Sequence, residues 1–179
     1  MMNNIFIYIF TAIGLSMDAF SLALVYGINK ISNQKIITLS LLVGIFHFFM
    51  PLLGSLFSNL FLRKILLNTN IIVGSIFLII SLEMFSSLKK EEKNLSLEKF
   101  YLLFLFSLTV SIDSLSIGIA YGVLRENSLL SSSIFFLVST LFTYSVLKLG
   151  KYIGSKYSKT STIIGAIIIL LLSIKYFVN

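Results

Sequence analysis

Two aspartates stand in stretches of this chain that carry almost no other charge, and each lies inside the same short pattern. Residues 16–27 read SMDAFSLALVYG and residues 111–122 read SIDSLSIGIAYG. The shared positions are Ser16 and Ser111, Asp18 and Asp113, Ser21 and Ser116, Tyr26 and Tyr121, Gly27 and Gly122. These residues are polar, small or amphipathic, so a common need for apolar side chains does not account for them. An aspartate three residues before a serine puts carboxylate and hydroxyl on one face of a helix. Asp18 with Ser21 and Asp113 with Ser116 therefore form two matched sets of oxygen donors. If the carboxylates meet, they cannot both ionise without a counter-charge, so they share a proton or bind a cation. The expected chemistry is cation or proton binding, with one pair able to do both in turn. The plain alternative is a pair of protonated carboxyls hydrogen-bonded between helices, a task Asn or Ser would perform at lower cost.

Oxygen donors of this kind suit magnesium, calcium or manganese, and a chain without cysteine offers no thiolate for copper(I) or zinc. A thioether from Met17 or Met50 would favour a transition metal over magnesium, but Met17 points about 100° away from its neighbour Asp18, and packing is the expected role there. His47 is the single histidine. It shares a helix face with Gly44, Pro51 and Gly54, and is either a buried residue bonded to a neighbouring helix or a further metal ligand or proton acceptor. Pro51 frees the carbonyl of His47 for another partner. Glu83 is a third acid inside an apolar run, and Lys175 is its counterpart near the opposite membrane face.

The elements that must carry these residues are membrane helices. Of the 179 residues, 57% are hydrophobic and 12% charged. A soluble domain carries about 25% charged residues. Six segments approach or exceed the roughly 20 residues needed to cross a hydrocarbon core: 4–26, 35–57, 68–87, 100–122, 129–148 and 160–178. The first has neither a basic start nor a small-residue cleavage site, so it is expected to be retained. Both aspartates fall within roughly 5 Å of mid-span at 1.5 Å per residue. Insertion scales put the cost of a central aspartate at about 2.5–3.5 kcal/mol, so something must offset it.

The net charge of +7 is explained by topology and gives no reason to expect nucleic acid. Ten lysines, from Lys30 to Lys159, fall on one side of the membrane; Arg63, Lys64, Arg125 and Lys175 fall on the other. The positive-inside rule then places both termini outside and the lysine-rich loops in the cytoplasm. The charged linker 89–99 divides the single domain, 1–179, into repeat one (1–88) and repeat two (100–179). Three spans is an odd number, so the second repeat enters with the opposite orientation. The fold class expected is an all-α membrane protein of six transmembrane helices, arranged as two inverted three-helix repeats. A weaker echo supports this: Gly74 and SLEMF at 81–85 answer Gly165 and SIKYF at 173–177, whereas the second and fifth spans barely match.

The motifs resemble those of a known family. LSMDAF at 15–20 and SIDSLSIG at 111–118 are similar to the two signatures of the MntP-type manganese efflux pumps. FHFFMPLLG at 46–54 resembles that family's second span, and GKYIGSKYSK at 150–159 its penultimate loop. The resemblance covers essentially the whole chain. It implies a bacterial inner-membrane exporter of Mn(II), with Asp18 and Asp113 essential for transport and Mn(II) as substrate rather than cofactor. Two positions depart from the family: His47 stands where an amide or acid is common, and Glu83 where a basic residue is common. The TyrGly endings also resemble related sporulation membrane proteins of the YtaF type.

The resulting expectation is a secondary transporter, not an enzyme, working with the lipid bilayer, Mn(II) and protons. Its metal site would comprise Asp18 and Asp113, with Ser21, Ser116 and His47 as accessory ligands. No GxxxxGK[ST] sequence is present, so the energy is expected from an ion gradient. The rival readings are export of another cation or a small metabolite, a non-transporting membrane protein, and an intramembrane aspartyl protease. The protease would require the Tyr-Asp and Gly-x-Gly-Asp contexts, which are missing here.

Overall fold

Apolar runs satisfy their backbone groups in a bilayer only as helices or closed barrels, and the computed structural model of this chain is built of six helices. They are α1 (Met2–Gly27), α2 (Asn33–Phe61), α3 (Thr69–Ser87), α4 (Phe100–Val123), α5 (Ser128–Ile153) and α6 (Ser158–Val178). Residues 2–27, 32–61, 69–88, 100–153 and 158–178 are described. The linker 89–99 lies outside them. Each helix covers one of the six expected spans. Three stretches, Asn33–Leu60, Phe100–Val123 and Ser128–Leu149, are long and apolar enough to cross a membrane; Ile5–Met17, Asn70–Ser86 and Thr162–Val178 are shorter apolar helices.

Local chemistry sets the helix ends. Ser32 caps α2 through its Oγ to the Lys35 N–H at 3.4 Å, and Asn127 Oδ1 accepts from the Leu130 N–H at 3.0 Å to cap α5. Helix α4 stops in a Schellman arrangement: the Glu126 N–H reaches the Tyr121 carbonyl and the Arg125 N–H the Gly122 carbonyl. Arg125 occupies the left-handed position at φ 60° that glycine usually takes. Inside the helices, Thr11, Ser40, Ser107 and Ser111 donate to the carbonyl four residues back, which lets a hydroxyl sit in an apolar segment.

Contact registers fix the helix directions. Pro51 meets Gly118 and Ser55 meets Gly122, so α2 and α4 run parallel. Tyr8 meets Glu126 and Ser16 meets Ser139, so α1 and α5 also run parallel. Gly44 against Thr140 and Ser55 against Ser128 make α2 and α5 antiparallel. It follows that α1 and α4, the two aspartate-bearing helices, point in opposite directions. Extensive packing joins α1 to α5 and α6, α4 to α2, α2 to α5, and α3 to α6, while α1 and α4 touch only sparsely.

By spacing alone, the small-residue pairs Ala23–Gly27 and Gly118–Gly122 would let α1 and α4 approach closely. In the structure Gly118 and Gly122 bring α4 against α2 instead. A Cβ at Gly118 would collide with the Pro51 carbonyl oxygen, and one at Gly122 would stand 2.9 Å from the Ser55 backbone. The matching Ala23–Gly27 pair has no described side chains.

Two apolar cores result. Tyr8, Phe77, Tyr121, Phe135 and Ile169 anchor one; Ala19, Leu39, Val43, Val110 and Val146 anchor the other. Large apolar side chains also cover the outside, as in the exposed stripe Phe49, Leu53, Leu56 and Leu60 on α2. In water such a stripe would be costly. Against lipid it is the expected surface.

Candidate functional site

The clearest polar arrangement begins at His47. Its ring is buried in α2, and Nδ1 lies 2.9 Å from the Val43 carbonyl oxygen and 3.0 Å from Ser111 Oγ. A carbonyl only accepts, so Nδ1 carries the hydrogen. Ser111 spends its own hydrogen on the Ser107 carbonyl at 2.7 Å and is left to accept from the histidine. The tautomer is thereby set: Nε2 bears the lone pair of the neutral ring. Nε2 is buried and makes no hydrogen bond among the described residues. A histidine anchored to a carbonyl through one nitrogen, with the other left bare, is the usual posture of a metal ligand.

Ser111 opens the second copy of the repeated pattern, and Ser16, which opens the first, is bound in the same way. Its Oγ lies 3.0 Å from Ser139 Oγ on α5, with both residues buried. Each copy therefore begins with a hydroxyl bonded to the second helix of the other half. Nothing in the sequence singles out Ser139 among the hydroxyl residues of α5, of which Ser131, Ser132 and Thr143 are buried as well.

Asp113 sits two residues beyond Ser111, about 200° around α4. Helix α4 presents Ser111 to α2 and carries Asp113 elsewhere, half-buried and within electrostatic reach of Glu83 on α3. Ser116 is half-buried one turn further along. Asp18 lies in helical backbone two residues beyond Ser16, but its side chain and that of Ser21 are outside the described residues. The structure thus joins His47 to a motif serine and brings Glu83 toward Asp113. Among the described residues, no three His, Asp or Glu side chains converge as a metal-binding group.

Aromatic rings cluster in the core that includes Tyr8, Phe77, Tyr121, Phe135 and Tyr176. Tyr8 and Tyr121 lie 5.3 Å apart, Tyr121 and Phe135 6.0 Å, and Phe77 stacks on Tyr176 at 5.5 Å. Tyr121 donates to Thr11 Oγ1 at 2.7 Å, and Tyr8 donates to Glu126 Oε2 at 2.5 Å. The tyrosine shared by the repeats therefore packs and ties helices in its second copy.

Residues 30–177 match the family model described as "Putative manganese efflux pump". The chain belongs to this family. A Bacillus pumilus relative named "Putative manganese efflux pump MntP" is 35% identical over 165 residues, covering 92% of this chain and 90% of its own length. Relatives of the same name from Pelotomaculum thermopropionicum and Methanocorpusculum labreanum are 30% and 31% identical over 171 residues. They cover 93% and 94% of this chain, and 94% and 92% of their own lengths. No solved structure matches the chain. The family is one of transporters, not enzymes, and its apolar helices make this chain a multi-pass membrane protein. The resemblance read from the two aspartate motifs is borne out.

Proposed function

We propose that this protein is a secondary transporter that exports Mn(II) from the cytoplasm, exchanging it for protons at a paired-aspartate site near the bilayer midplane. The site comprises Asp18 and Asp113, with Ser21, Ser116 and His47 as accessory ligands. Carboxylate and hydroxyl oxygens alone would serve magnesium as well as manganese; an imidazole nitrogen favours the transition metal. The bare, buried Nε2 of His47 is the observation that carries this choice of ion beyond the family name. Alternation of the carboxylates between metal-bound and protonated forms keeps charge off the apolar path in both directions of the cycle.

The protein is one transmembrane domain of two inverted repeats, 1–88 and 100–179, in the bacterial inner membrane with both termini outside. Several features support the inversion. The two motif helices are antiparallel, and parallel pairing of α1 with α5 is matched by parallel pairing of α2 with α4. Alternating access then follows from rocking one repeat against the other.

The test is intracellular manganese in a bacterium lacking its own exporter, grown in high manganese and expressing wild type, Asp18→Asn or Asp113→Asn at matched membrane levels. Wild type lowers manganese and restores growth; neither variant does. A wild type that leaves manganese unchanged while another solute falls would overturn the ion assignment.

A further inference from the structure

Within the proposed transport reading, we infer that Ser16 and Ser111 are positioning residues, each latching an aspartate-bearing helix to the second helix of the opposite half. The first latch is Ser16–Ser139, between α1 and α5; the second is Ser111–His47, between α4 and α2. Both measure 3.0 Å, and all four residues are at most 1% exposed.

Their chemistry differs from that of the two serine contacts between α3 and α6. Ser81 and Ser173 donate to backbone carbonyls, which a neighbouring helix presents whatever its side chains are. The latches run from side chain to side chain. They form only at one rotation of each motif helix about its axis, and they break without disturbing any helical hydrogen bond. Each serine lies two residues from an aspartate, so the rotation that makes the bond also fixes where that carboxylate points. A slip of one residue would turn the carboxylate by about 100°.

The two latches are not chemically identical. In one the partner is a hydroxyl outside the proposed metal site. In the other it is the imidazole whose free nitrogen is proposed as a ligand, so Ser111 orients Asp113 and His47 together. The latch at Ser16 therefore provides the cleaner test, because neither Ser16 nor Ser139 belongs to the proposed metal site.

The experiment uses purified full-length protein, as wild type, Ser16→Ala, Ser139→Ala and the double variant. Melting in detergent reads the bond; initial rates of Mn(II) transport in proteoliposomes, against Mn(II) concentration, read its purpose. The singles are expected to be non-additive in melting. Each should raise KM on the order of tenfold, the lower end of what losing an orienting partner costs a metal site. The turnover rate should stay within about twofold, and the double variant should match either single. Additive effects, or coupled melting with KM unchanged, would overturn the inference and leave the bond as packing alone. Wild-type protein that carries no Mn(II) would overturn the proposed function itself, and the positioning role with it.

Discussion

Ser81 on α3 donates to the Ala166 carbonyl on α6 at 2.9 Å, and Ser173 on α6 donates to the Gly74 carbonyl on α3 at 2.8 Å. The bonds cross the same helix pair in opposite directions, and they come from the SLEMF and SIKYF segments that echo one another in sequence. Hydrogen bonds between membrane helices contribute about 0.6 kcal/mol on average and up to roughly 1.7. Ser81→Ala and Ser173→Ala should therefore destabilise the protein by similar amounts, about 0.5–1.5 kcal/mol each. Reversible unfolding in mixed micelles measures this; a large cost for one and none for the other would count against their equivalence.

Gly118 lies at a close approach of α4 to α2. An added Cβ would collide with the Pro51 carbonyl oxygen and the Pro51 Cα, both backbone atoms that cannot swing aside. Gly118→Ala should cost at least the roughly 1–3 kcal/mol typical of overpacking. Gly74→Ala, which meets the Phe177 ring at 3.1 Å, should cost distinctly less. Folded yield and melting temperature of the two variants give the comparison.

His47→Asn keeps a donor near the Nδ1 position and removes Nε2. It should hold the contacts to Val43 and Ser111, so melting should change little. Mn(II) transport should nevertheless need on the order of tenfold more Mn(II), and the preference over Mg(II) should narrow as the nitrogen ligand is lost. Competition of Mg(II) against Mn(II) uptake into everted vesicles measures both. Unchanged selectivity would remove His47 from the site.

Tyr8 and Tyr121 donate to different kinds of acceptor. The Tyr8 hydroxyl faces a carboxylate, Glu126, and Tyr121 faces a hydroxyl, Thr11, which itself donates to the Ile7 carbonyl. Bonds to charged groups contribute about 1.5–3 kcal/mol and neutral ones about 0.5–1.5. Tyr8→Phe should therefore lower stability more than Tyr121→Phe. The order of the two melting temperatures is the readout.

The sequence by itself determined a great deal here. Six apolar runs separated by short charged islands could become only six helices in lipid, because an unpaired backbone polar group there is too costly. The repeated SxDxxS pattern marked Asp18 and Asp113, and with them the family, because uncommon polar residues inside apolar helices carry more information than the residues around them. The tertiary structure alone decided which helix each polar face meets. Gly118 could have served α1 or α2 equally well by spacing, and only the packing gives it to Pro51. Ser139 had no detectable match in the second span, since hydroxyls are frequent along α5 and its counterpart His47 is a different residue type. Helical periodicity shows which residues share a face; it does not name the neighbour. That choice depends on shape complementarity among all six helices at once, and it is what joins Ser16 to Ser139 and Ser111 to His47.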